Sequence, residues 1–232
     1  MRAGDSAAMS TGDPAARTRA AIRAQRRAGL RRMVVPGGLP GNEQLTAITG
    51  VALIVLLAVL GVTILRIGQL ISVHLFVGVL LIGPVALKLA STGYRFMRYY
   101  TGAPAYRAKG PPPLILRGIA PLVVATTLVV FISGVLLLFD GPAGRGPLLL
   151  AHKASFIVWL GFTALHVLGH LPGLSRPLRS ALAPGSAEGV RGTGVRWWLL
   201  CAALVIGLVV AIALIPDYSA WTGAGAFHHH HD

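Results

Sequence analysis

Five stretches of this chain are too apolar and too long to sit comfortably in a water-soluble fold. They run from Leu45 to Leu65, Leu70 to Leu89, Leu114 to Phe139, Leu148 to Leu171 and Trp197 to Ile215, and they consist mainly of Leu, Val, Ile, Ala and Gly. A helix rises ~1.5 Å per residue, so about twenty residues cross a hydrocarbon layer of ~30 Å. Lipid offers no partner to an exposed peptide group, which restricts spanning segments to helices and closed barrels. The strict apolar–polar alternation of a barrel strand is missing from all five runs. The expected fold class is therefore an all-α membrane protein with five transmembrane helices.

Outside those runs no stretch is rich enough in large apolar residues to build a core of its own. One membrane domain is expected over 45–216, preceded by a basic arm over 1–44 and followed by a short tail over 217–232. The arm has no central apolar segment of the signal-peptide kind, so the first span is expected to stay in place as an anchor. From Ala15 to Met33 the arm suits either a basic helix lying on anionic headgroups or a disordered tail. Cys201 stands alone, inside the fifth span, and reads as a small buried hydrophobe.

The formal net charge is +14, a value that on its own would suggest nucleic acid. Its distribution argues against that. Eight arginines precede Leu45; Arg95, Arg98, Arg107, Lys109 and Arg117 follow the second span; Arg176, Arg179, Arg191 and Arg196 follow the fourth. The opposite side carries Arg66, Arg145 and Lys153. The positive-inside rule then places the N-terminus in the cytoplasm and the C-terminus outside a cell membrane, and topology alone explains the excess of cations. No nucleic-acid partner is expected; the lipid bilayer is the expected surrounding.

Against this background the histidines stand out, because an imidazole in hydrocarbon needs a partner. His74 follows the outer end of span two by about five residues, and His152 does the same in span four, on a helix of the same direction. Two axial nitrogens facing each other across a ring, each with its second nitrogen fixed by a neighbour, are what a haem iron requires. The ordinary alternative is a structural hydrogen bond between helices. Gly61 in span one and Ser133 with Gly134 in span three fall at the same depth, where small residues would let a porphyrin edge approach, or would simply serve helix packing. Arg66, Arg145 and Lys153 at the outer rim suit haem propionates or lipid phosphates equally.

A second level lies deeper. His166 follows His152 by 14 residues, which returns to nearly the same helix face about 21 Å further in, and His170 comes one turn later. The matching position of span two is Lys88. A neutral lysine can ligate iron, and a charged one near the interface snorkels.

These residues resemble the membrane-bound b-type cytochromes, whose four-helix core holds haem between parallel helices that often carry two histidines about four turns apart. The resemblance covers Leu45 to Leu171. "AHKASFIVWLGFTALHVLGH" in span four carries the family-like spacing in full, whereas "SVHLFVGVLLIGPVALK" in span two carries its outer half and departs from it at Lys88. The resemblance implies electron transfer between an extracytoplasmic oxidoreductase or electron carrier and the quinone pool or a second haem; one haem b is expected on His74 and His152, and the residues leave open a second on His166 and Lys88, where the chain departs from the family. The fifth span would pack outside the four-helix core, and a homodimer is compatible with the pattern. On this reading the chain is an electron-transfer subunit rather than a catalyst in its own right.

Two other classes stay open on the residues. A small proton- or ion-coupled transporter or channel would use the same histidines and Lys88 as a path, with Pro84 and Pro121 marking broken helices. A non-redox membrane anchor would tolerate loss of both outer histidines. The HVLGH pair at His166 and His170 lacks the glutamate and third ligand of a zinc protease. Tyr94, Tyr99 and Tyr100 read as an aromatic belt or, with Lys88 and His166, as part of a quinone site. The run His228 to His231 reads as a tag remnant.

Overall fold

The computed structural model describes residues 38–110, 113–143, 145–183 and 192–222. Residues 1–37 of the basic arm, Pro111 and Pro112, Arg191 and the terminal histidine run lie outside the described residues. Nine α-helices account for nearly all of the described chain: α1 (Gly38–Leu65), α2 (Ile67–Leu80), α3 (Ile82–Tyr100), α4 (Pro104–Ala108), α5 (Leu114–Asp140), α6 (Arg145–His170), α7 (Ser175–Leu182), α8 (Thr193–Ala213) and α9 (Ile215–Thr222). Five segments are long and apolar enough to cross a membrane: α1, α2 with α3, α5, the stretch 146–173 that contains most of α6, and α8. The protein is all-α and multi-pass.

The second span kinks near its start at Leu70 (φ −112°, ψ 20°) and has a seam at Leu81, whose backbone N–H still reaches the Val77 carbonyl at 3.0 Å. Pro84 falls in the first turn after that seam, where a missing N–H is tolerated. It therefore does not break the span in two. Pro121 likewise sits inside a continuous α5.

Pro84 cannot donate to the Leu80 carbonyl four residues back, and that oxygen is met instead by α8. A Cβ at Gly207 would lie 2.1 Å from the Leu80 oxygen, and one at Gly83 would lie 1.9 Å from the Ala203 oxygen. The two backbones touch at a reciprocal glycine crossing, a geometry suited to Cα–H···O contacts. Deeper in, a buried polar layer ties four helices together. Asn42 Nδ2 donates to the Ser91 carbonyl at 3.1 Å, Gln44 Nε2 to Ser180 Oγ at 3.3 Å, and Thr193 Oγ1 to Gln44 Oε1 at 3.3 Å. Arg196, buried in α8, also donates to Gln44 Oε1.

The fifth span thus sits against spans one and two more closely than the fourth span does, although the sequence reading puts it outside the core. α6 packs extensively on α5 alone, and no residue in its most apolar stretch is buried. At the end opposite the polar layer, α9 folds back over α2 and α5, with Val79, Leu137, Leu138, Ala211, Tyr218 and Trp221 forming one cluster.

Candidate functional site

His74 and His152 each have one ring nitrogen committed. Thr63, in the last turn of α1, donates its hydroxyl proton to the Leu60 carbonyl at 2.5 Å and lies 2.8 Å from His74 Nδ1. A hydroxyl has one proton, so Thr63 Oγ1 accepts from His74 Nδ1–H. His152 Nδ1 lies 3.1 Å from the Val130 carbonyl oxygen, which can only accept, and 3.2 Å from Ser133 Oγ. Ser133 has its own acceptor in the Val129 carbonyl at 2.7 Å. Both imidazoles are therefore held as Nδ1–H tautomers, with an unprotonated Nε2 at the opposite edge of the ring. That is the form in which a histidine ligates a metal, and hydrogen bonding at Nδ1 is how proteins fix it.

His74 and His152 lie within electrostatic range of one another. They come from the two halves of the bundle: α2 belongs to the tightly packed side, and α6 to the side that leans on α5 alone. No acidic, cysteine or third histidine side chain joins them, and among the described residues no group of three or more such ligands gathers anywhere. The donor set is two neutral imidazoles. It suits a macrocycle that brings four equatorial nitrogens of its own, and it is too sparse for a bare divalent cation held by protein alone.

A Cβ at Gly134 would come within 3.1 Å of His152 Cε1, so the missing side chain makes room for the His152 imidazole. Gly61 has nothing within 4 Å of the corresponding point and faces open space. Arg66, which precedes α2, and Lys153, next to His152, are exposed.

At the other end of α6, His166 and His170 stand together with ring centroids 4.6 Å apart. Lys88 is within electrostatic range of both. Its ammonium donates to the Thr46 carbonyl of α1 at 2.7 Å, and a Cβ at Gly50 would sit 3.0 Å from that nitrogen. Lys88 is therefore docked on α1, in a notch left by a glycine.

Sequence reasoning missed Thr63 and the Val130 carbonyl, and it valued Ser133 for its size rather than its hydroxyl. It also missed Trp159, which lies between the two histidine levels of α6 and donates to Thr127 Oγ1 at 2.9 Å. A hydroxyl in the last turn of span one, level with His74 across a short turn, was the available clue for Thr63.

Comparison with known proteins returned no matching family model, no matching curated protein and no matching solved structure.

Proposed function

We propose that this protein is an integral membrane b-type cytochrome that binds haem between His74 and His152. The observation that supports this most is the pair of Nδ1–H locks, through Thr63 and through Val130 with Ser133, each of which leaves Nε2 as a lone-pair donor. A purely structural histidine would be expected to bridge helices through both nitrogens or to face water. The haem would supply one-electron chemistry. The chain's own part is to hold both imidazoles in the ligating tautomer, to seat the His152 ring against Gly134 and to keep the site in a low-dielectric layer.

The charge distribution puts this site toward the extracytoplasmic face, where a soluble oxidoreductase or electron carrier would dock near Arg66 and Lys153. The quinone pool is the natural exchange partner on the inner side, because the Lys88 ammonium is engaged by Thr46 and leaves His166 without a facing ligand for a second haem. Protein purified from membranes in mild detergent should carry one haem per chain. Its dithionite-reduced spectrum should show sharp α and β bands that vanish in His74→Ala and in His152→Ala. A colourless, fully folded protein would instead favour a proton- or ion-coupled transporter, and transport lost in the same two variants would establish it.

A further inference from the structure

The inner end of the gap between α3 and α6 is lined by nitrogen donors without a matching acid. On α6, Thr163, His166 and His170 fall at i, i+3 and i+7, one face of the helix. On α3, Lys88 and Arg95 are seven residues apart, again on one face. The two faces meet: Lys88 lies within electrostatic range of His166 and His170, and Arg95 within range of His170. Thr163 Oγ1 and His166 Nδ1 are buried atoms without a hydrogen-bond partner, a costly condition in an apolar layer. Lys88 uses one of its three protons on Thr46 and keeps two.

The described acidic residues are three, and Glu43, one turn before Thr46 on α1, stands at this same end of the bundle. Glu43 pairs with Lys109, Asp140 ends α5 on the far side of the bundle, and Asp217 belongs to α9, which packs at that same far side. α6 rests mainly on α5, and α3 and α6 do not pack extensively on one another.

We propose that this gap is a binding site for the headgroup of an acidic phospholipid, its phosphate held by Lys88, Arg95, His166 and His170, with Thr163 donating from the turn above. A phosphodiester answers this cluster: it brings negative charge to the cations and accepts several hydrogen bonds at once. Basic clusters between transmembrane helices at a lipid boundary recognise headgroups in this way. A neutral quinone would fill the space without answering the charge. The site is independent of the haem proposal, because none of its groups touches His74 or His152.

The test uses the full-length protein in a neutral detergent, followed by native mass spectrometry and by thermal unfolding with added lipid. Phosphatidylglycerol should be retained through delipidation and should raise the melting temperature, whereas phosphatidylcholine should do neither. Arg95→Gln should weaken phosphatidylglycerol binding about fivefold. His170→Gln should also weaken it, and Arg66→Gln, at the opposite rim, should leave it unchanged. Haem content should be the same in Arg95→Gln and His170→Gln as in the unaltered protein. Equal retention of the two lipids, stabilisation by inorganic phosphate alone, displacement of the lipid by a neutral benzoquinone, or an equal loss in Arg66→Gln would each overturn the proposal.

Discussion

Helix α8 meets the second span backbone to backbone, whereas α6 meets α5 and turns the rest of its surface outward. The first contact rests on Gly83, Gly207 and a buried polar layer, all of them groups that find their partners inside the protein. The second side is assembled differently: its polar groups include His152, with one nitrogen still to be used, and His166 and Thr163, with none of their buried atoms satisfied at Nδ1 and Oγ1. In lipid, apolar burial gives helices little reason to associate, so close packing and hydrogen bonds decide which ones hold together. A half that is complete in itself acts as scaffold. The half with unused donors is where a ligand has something to add.

The contrast can be broken most severely at the glycine crossing. Gly207→Leu would put a side chain where the Leu80 carbonyl stands, 2.1 Å from the first added carbon, and should cost about 3 kcal/mol or more, read as loss of resistance to denaturant in mixed micelles. The same substitution at Gly161 of α6, where nothing lies within 4 Å of the added carbon, should leave stability nearly unchanged.

Next in size is the lock on His74. Thr63→Val keeps the shape and removes the acceptor, so haem affinity should fall about 10- to 100-fold in a titration of the apoprotein, with the fold retained. Gly134→Ala presses on the His152 ring from 3.1 Å and should give a smaller, severalfold loss in the same titration. Haem should also slow amide exchange along α6 far more than along α8, because only α6 gains a partner. Smallest of all, Ser91→Ala removes one hydroxyl between α1 and α3, whose bond to Thr46 Oγ1 is 3.2 Å long, and should cost about 0.6 kcal/mol.

Much of the architecture was legible before any coordinates, because a run of about twenty apolar residues admits few conformations in lipid. Boundaries were less so. α1 begins at Gly38 rather than Leu45, since Asn42 and Gln44 look like surface residues in a hydropathy profile but are buried on Ser91, Ser180, Thr193 and Arg196. The second span runs on to Tyr100, past Lys88 and Arg95, for a similar reason: Lys88 finds a carbonyl in Thr46 and Gly50 leaves it room.

The histidines could be singled out from type and depth, whereas their partners could not. Whether His74 faces Thr63, or His152 faces Val130, depends on how each helix is rotated about its axis, and in a helix apolar all round no stripe reports that rotation. The same blindness hid the Gly83–Gly207 crossing. Lys88 was weighed as ligand or snorkelling cation; its actual partner, a backbone carbonyl, has no signature in side-chain sequence.

The central claim is that two imidazoles, one from each half of the bundle, share one iron through Nε2. Electron paramagnetic resonance of the oxidised, haem-loaded protein tests it directly. A low-spin spectrum of the bis-imidazole type, turning high-spin in His74→Ala and in His152→Ala, is the expected result. Haem that is high-spin in the unaltered protein, or a low-spin spectrum that survives either substitution, would contradict it.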